Sequence, residues 1–360
     1  MAVVPANGLV LVTGANGHLA SVMTKVLLEH GYRVRGTVRS VAKHKDLVSL
    51  LGSNFSLAEV PDYSSPGAFD EAMVGVDGAI HMAADVSFTV DEKIIDDAVQ
   101  GITNILTAAS NNPSVRRVVL TSARAAAMSE KPGVPYKLDH DSWNTEAIEE
   151  LKKPAETQDP QRRGMFVYSV AKLQAERAAF EFMEKHKPGF VFNSVLPNVN
   201  IGRAVAIEHL GFPSGSSLIN TFDKGYPLGP AILPNQWFVN TDDMALLHLA
   251  ALTLEDVQNE RILAMAGPYA WKELIEILNR RFPQRENIVK SCDGGPVDIG
   301  EVDNAREAEL LRKMGRDGFK SLEGSLIDAM ECVIAADELP HVPRTIADDF
   351  VDMIFKGKGQ

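Results

Sequence analysis

A short apolar run, Leu9-Val-Leu-Val-Thr13, is followed at once by Gly14, Ala15, Asn16 and Gly17, and then by an amphipathic stretch from His18 to His30. This order constrains the fold more than any other feature of the chain. A strand that turns on glycine into a helix leaves the first helical amides free, and their dipole favours an anion there. Gly14 suits the tight turn. Gly17 lets the backbone approach a pyrophosphate, and Ala20 is small enough for close helix–strand packing. Asn16, His18 and Leu19 complete the stretch that would border the anion, with His18 read as a surface residue of the helix start. The glycine pattern gains weight from its strand–turn–helix setting.

The rest of the first 200 residues repeats the alternation. Strand-like runs fall at 32–38, 56–60, 78–82, 117–121 and 191–196, and helical patterns at 67–73, 94–110 and 168–186. Strands alternating with helices of this length predict an α/β fold, a Rossmann-like doubly wound parallel sheet. From about residue 199 the alternation breaks into turn-rich segments, 211–217 and 225–230, and a helix is expected at 271–281. We therefore expect a dinucleotide-binding domain over 1–198, with 236–265 returning to it. A smaller C-terminal substrate lobe takes 199–235 and 266–333, and 334–360 forms an extension carrying Pro340 and Pro343.

Composition limits the partners. The 360 residues carry 36 basic and 48 acidic side chains, a net charge of −12, which disfavours nucleic acid. Any anionic ligand must be held by a local positive site. Two cysteines, Cys292 and Cys332, are too few for a secreted disulfide framework. No apolar stretch is long enough to span a membrane, and the N-terminus lacks a basic leader; the expected compartment is the cytoplasm. Asp242, Asp243 and His248 could be read as a metal cluster. His81 reads as a core histidine.

Cofactor choice is legible after the second strand. A carboxylate about 20 residues past the glycines would bond a ribose 2′-hydroxyl. Here the stretch holds Arg39, then Lys43 and Lys45, with no acid before Asp46. Arg39 is placed to bind a 2′-phosphate through its planar fork, with Lys43 nearby, so NADP(H) is expected. Asp62 and Tyr63, after the third strand, are candidates for contact with an adenine.

Tyr168 and Lys172 stand four apart at what reads as a helix start, on one face. A free phenol near pKa ~10 is a poor acid or base at neutral pH, and an adjacent ammonium lowers that value. Such a pair suits proton transfer at a carbinol oxygen.

With these residues in place the chain resembles the extended short-chain dehydrogenases/reductases. It is most similar there to the fungal aldehyde (carbonyl) reductases and the plant dihydroflavonol reductases. The matching pieces run in order through 11–17, 31–39, 75–83, 117–122, 168–172, 196–202, 238–245 and 312–315. The resemblance implies a Rossmann-like fold, NADPH, and hydride transfer to a small-molecule aldehyde or ketone, in a monomer or homodimer. It implies Tyr168 as proton donor and Lys172 as the group that bonds the nicotinamide ribose. Ala83, Ala84, Thr121, Pro197 and Asn198 would lie along the cofactor, and the match of 238–245 implies that Asp242, Asp243 and His248 belong to a structural strand-to-helix connection, so no metal is expected. The nearest matches suggest a fungal origin and a place in specialised metabolism.

One position departs from the pattern. The family places a serine or threonine where this chain has Ala123, within Leu120-Thr-Ser-Ala-Arg-Ala-Ala-Ala127. A methyl cannot polarise a carbonyl, and losing one such donor typically costs ~10²–10³ in rate. Ser122 and Arg124 are candidate substitutes, although strand alternation aims Ser122 the other way; Arg124 reads equally well as a solvent-facing cation. Three readings stay open: a reductase with the donor supplied elsewhere; a non-redox lyase, isomerase or cyclase; and a non-catalytic NADP-responsive binding protein. Keeping Tyr168 and Lys172 argues against the third. Phe88, Trp143, Phe212 and Trp237 are candidates to line a substrate pocket with Ala123.

Overall fold

The computed structural model describes residues 2–357. Seven parallel strands form the central sheet: β1 (Leu9–Val12), β2 (Arg33–Val38), β3 (Phe55–Glu59), β4 (Gly78–His81), β5 (Arg117–Thr121), β6 (Val191–Val195) and β7 (Arg261–Ile262). Their spatial order is β7-β6-β5-β4-β1-β2-β3. The chain begins at β1, builds outward through β2 and β3, then crosses to β4 on the other side. Val10 pairs with Val34 on one flank and with Gly78 on the other. That reversal opens a crevice beyond the carboxyl ends of β1 and β4, where open α/β sheets bind ligands.

Every residue of β1, β4 and β6 is buried because helices cover both faces of the sheet. On one face lie α1 (His18–Glu29) and the helix Thr241–Thr253, sharing a core with Val10, Val12, Val26, Leu27, Met244 and Leu247. On the other lie α2 (Lys93–Ser110) and α3 (Pro160–His186), packed on Leu11, Val118 and Phe192 through Ile102, Ile105 and Ala179. This is the doubly wound α/β architecture the alternation predicts.

Two elements differ from expectation. The helix holding Tyr168 starts at Pro160, eight residues earlier. Asp159 caps it by accepting from the Arg162 amide at 3.0 Å, and proline occupies its first turn. The stretch 67–73 is a series of turns rather than a helix. Pro66 precedes it, and Gly67 and Gly75 take φ of +74° and +72°, so helical bonding never propagates, though Phe69 and Met73 are still buried.

A second core gathers around Phe222, Trp271, Leu274, Leu326 and Met330. Beside it the strand Val199–Ile201 pairs in parallel with Gln236–Asn240, which pairs antiparallel with Gly267–Tyr269. Residue 334 falls inside the helix Leu322–Ala336. Further on, Ala347 and Val351 pack on Leu228, with Tyr226, Ile232 and Phe355 around them. Cys292 and Cys332 are free thiols. No helix among the described residues is long and apolar enough to cross a membrane.

Candidate functional site

The glycine turn is built to receive an anion. Gly14 takes φ +68°, and a Cβ there would lie 3.1 Å from the Ala83 Cα. The β1 and β4 ends therefore come together only with glycine at this position. Gly17 precedes α1 in an extended conformation, no side chain caps the helix, and no acid stands in its first turn. Asn16 and Leu19 flank these uncapped amides. The fit to a dinucleotide pyrophosphate is good.

His18 is not the surface residue expected. It is buried, its Nε2 lies 3.3 Å from the Arg203 carbonyl, and its Nδ1 has no partner. Burial holds its pKa down to about 4, so the ring is neutral. The reason is the chain after Val199–Ile201, which folds back over the start of α1. Arg203 then pairs with Asp242 at 2.7 Å and reaches Glu29.

Arg39 stands exposed immediately after β2, with Lys43 exposed on the short helix Val41–His44. Asp62 accepts from Ser64 and Ser65 in a local turn. Tyr63 packs over Gly101 and edge-on to His81, with ring centroids 6.1 Å apart. Its hydroxyl is pushed up to about 12 by burial, then by nearby Asp97.

Tyr168 and Lys172 meet in a narrow cavity lined also by Tyr63, His81, Ala83, Ala84 and Leu120. Lys172 Nζ donates to the Thr121 carbonyl at 3.0 Å and lies 6.0 Å from the centre of the Tyr168 ring. Burial lowers Lys172 to about 8, against an upward pull from Glu176. Tyr168 moves opposite to the sequence expectation: burial first, and Glu130 second, push its pKa up. In this state the phenol is a proton holder, not a phenolate.

The neighbouring polar groups are committed. The Thr13 hydroxyl accepts from the Met82 and Ala83 amides and lies 3.0 Å from His81 Nδ1. His81 is held down to about 3 by burial and then by Lys172, so it is the satisfied core histidine expected. His248 Nδ1 faces the Met244 carbonyl at 2.8 Å and must carry the proton there. Its Nε2, 2.8 Å from Thr121 Oγ1, therefore accepts from that hydroxyl. Asp243 accepts from the Lys320 amide. Among the described residues no group of three or more His, Cys, Asp or Glu is arranged to hold a metal ion.

Both candidate substitutes for the missing hydroxyl are corrected. Ser122 does not line the cavity: its hydroxyl donates to Glu176 Oε2 at 2.9 Å. Arg124 is fully buried, not solvent-facing. Its Nη2 donates to the Tyr136 hydroxyl at 3.2 Å, and Nη1 lies 3.6 Å from Glu130. Tyr136 in turn donates to Asp298 at 2.9 Å. Arg124 thus fastens the 130–136 segment to residue 298, while its Nε and Nη1 make no hydrogen bond. Sequence reasoning missed Glu130, the one acid that bears on the Tyr168 phenol; its only signal was its nearness to the Ala123 segment.

The pocket candidates separate. Phe88 sits edge-on to Tyr168, centroids 5.1 Å apart, and is 36% exposed. Ala123 is buried beside Arg124. Phe212 belongs to the second core. Trp237 packs with Ala127, Leu196 and Met265, and its Nε1 has no partner. Trp143 is corrected: it lies under the Arg261 guanidinium at 3.8 Å and against Phe180, away from the cavity. The Pro197 carbonyl accepts from the Arg124 amide at 2.8 Å, and Asn198 keeps a buried Nδ2 unpartnered.

Comparison with known proteins places this geometry in company. Residues 10–264 match the NAD dependent epimerase/dehydratase family. The chain is 37% identical to Aldehyde reductase 2 of Sporidiobolus salmonicolor, covering 91% of this chain and 96% of that one. It is 37% identical to Ketoreductase adrE of Penicillium roqueforti, covering 90% and 96%. Among solved structures, Gre2 of Candida albicans in complex with NADPH matches with a TM-score of 0.78 at 26% identity, over 93% of this chain and 100% of that one.

Proposed function

Because the chain belongs to the NAD dependent epimerase/dehydratase family, we propose that it is an NADPH-dependent reductase of an aldehyde or ketone on a small, fairly apolar molecule. The observation that carries this reading is the half-buried Tyr168–Lys172 pair, brought together in one cavity at the sheet's switch point. Relatives named as aldehyde and ketone reductases, and the NADPH complex of Gre2, support it. The fungal ketoreductase relatives support a place in specialised metabolism.

The cofactor would lie across the glycine turn, its pyrophosphate at the α1 amides of His18 and Leu19 and its 2′-phosphate at Arg39 and Lys43. Tyr63 would border the adenine side, and Ala83, Ala84, Thr121, Pro197 and Asn198 the nicotinamide half. When bound, NADPH supplies the hydride for the carbonyl carbon. Tyr168, held protonated by burial and Glu130, donates its proton to the carbonyl oxygen. The Lys172 ammonium stabilises the phenolate that remains and bonds the ribose. Residues 199–235 and 266–333 would close the substrate side. Ala123 offers no hydrogen bond, so Tyr168 alone meets the oxygen.

A second reading, non-redox acid–base chemistry on the same scaffold, draws on Glu130. A carboxylate near a protonated phenol is an acid/base pair that needs no serine. NADPH consumption with a panel of aldehydes and ketones, followed by near-ultraviolet absorbance, decides between them. We expect turnover that Tyr168→Phe lowers by about 10² or more. Measurable NADPH binding with no oxidation by any carbonyl would overturn the reductase reading.

A further inference from the structure

Away from the reaction centre, two histidines 165 residues apart in sequence meet ring to ring. His44 Nδ1 lies 3.1 Å from His209 Nε2, with the rings edge-on at 78° and centroids 5.4 Å apart. His44 ends the short helix Val41–His44, five residues past Arg39. His209 comes from the helix Ile207–Leu210, in the chain that folds over the cofactor face. Asp46 Oδ2 stands 4.0 Å from the other nitrogen of His209.

The proton arrangement follows from the neighbours. A carboxylate facing Nδ1 favours a proton on that nitrogen, which leaves the lone pair of neutral His209 on Nε2. His44 Nδ1 then donates to it. The remaining nitrogen of neutral His44, Nε2, is left with a lone pair that would repel an anion. Protonated, the same nitrogen becomes a charged donor. Arg39 and Lys43 stand near His44 as like charges, Asp46 flanks its partner, and Glu59 accepts the Val41 amide at the helix start. Desolvation, His209 and these two cations together hold His44 below the ordinary histidine range. The ring is therefore neutral at neutral pH until negative charge arrives.

We propose that His44, oriented by His209, is part of the 2′-phosphate site and takes up one proton from solvent when a phosphate monoester binds beside Arg39. The inference rests on the NADPH reading and adds to it a proton-linked preference for the phosphorylated cofactor. It also makes a residue of the folded-over chain, His209, a positioning residue for the adenosine end of the cofactor.

The test is calorimetry on the full chain with 2′,5′-ADP and 5′-AMP, ligands that lack a nicotinamide. Titrations at about pH 7.5 use two buffers of different ionisation enthalpy. A phosphate monoester, with its second pKa near ~6, is already a dianion there and has few protons of its own to release. We expect 2′,5′-ADP to bind at least about tenfold tighter than 5′-AMP, with net uptake approaching one proton, and to weaken as the pH is raised. His44→Gln should abolish the uptake and cost about tenfold in 2′,5′-ADP affinity, with 5′-AMP binding unchanged as the sign of an intact fold. His209→Gln should reduce the uptake without abolishing binding. Tighter binding of 2′,5′-ADP with no proton uptake, or with uptake that survives His44→Gln, overturns this inference and leaves the NADPH reading standing. Equal binding of the two ligands overturns the NADPH reading itself.

Discussion

The Ser122 hydroxyl donates to Glu176 Oε2 across 2.9 Å of buried space, and Glu176 stands two turns along α3 from Tyr168. Glu176 also receives Ser194 at 2.5 Å and Arg261 at 2.9 Å. Ser122 is therefore tied into a structural network and cannot turn to a substrate without leaving a buried carboxylate short of a donor. Ser122→Ala should change kcat/KM for an accepted aldehyde by less than about threefold, since no transition-state contact is lost. Ala123→Ser, which restores a hydroxyl where the family resemblance expects one, should raise it by about 10². Equal effects of the two substitutions would show that it does not matter which of the two positions carries the hydroxyl.

The pH profile should report Lys172. Burial depresses its pKa to about 8, so the ammonium is complete well below that value and lost above it. The charged form is the one that stabilises the phenolate left after Tyr168 gives up its proton. Tyr168 itself, pushed up by burial, stays protonated throughout this range. Reduction should hold level below about pH 8 and fall above it as a single group loses its proton, and Lys172→Met should remove that break along with most of the activity. Initial rates at fixed cofactor saturation across the range check both.

How far the sequence could be read follows from what each signal depends on. The β1 turn into α1 and the Tyr168–Lys172 spacing are local, so strand, turn, helix and shared face were all legible in a few consecutive residues. The helix start at Pro160 was also written locally, in Asp159 followed by proline, but no apolar periodicity drew attention to it. The burial of His18 and Arg124 and the seat of Trp143 were not legible, because each is covered by chain more than 100 residues away or engaged by charge that only folding brings near: Arg203 for His18, Asp298 for Arg124, Arg261 for Trp143. The direction of the Tyr168 shift was misread for the same reason. Lys172 was visible four residues on, whereas the desolvation that outweighs it belongs to the assembled cavity.

Arg261 and Glu176 should prove the costliest pair to separate. Both are buried; the guanidinium bonds both carboxylate oxygens, at 2.9 and 3.3 Å, and lies over Trp143, 3.8 Å from the ring centre. Its Nη1 also donates to the carbonyls of His140 and Ser142. Arg261→Met keeps the stem's bulk but leaves Glu176 a buried charge with only two hydroxyls, and should cost about 3–5 kcal/mol in urea unfolding. Adding Glu176→Gln removes that charge and should recover part of the loss. A double variant no better than the single one would place the cost in Trp143 packing instead.

Gly164 sets the position of the loop over Tyr168. A Cβ at this point of α3 would lie 1.9 Å from the Phe88 carbonyl oxygen and 2.8 Å from its carbon, and the obstacle is backbone, which cannot rotate aside. Phe88 itself holds φ at +53°, so residues 84–91 have little freedom to give way. On an isolated helix Gly→Ala would gain about 1 kcal/mol. Here the forced displacement should outweigh that gain and leave Gly164→Ala destabilised by about 1–3 kcal/mol. The moved loop carries the Phe88 ring off its edge-on seat against Tyr168, while Tyr168 and Lys172 stay fixed on α3 and at the Thr121 carbonyl. KM for the carbonyl substrate should therefore rise several-fold with a smaller fall in kcat. A variant that is stabilised and keeps its KM would mean that the Phe88 carbonyl does not rest on α3 in solution.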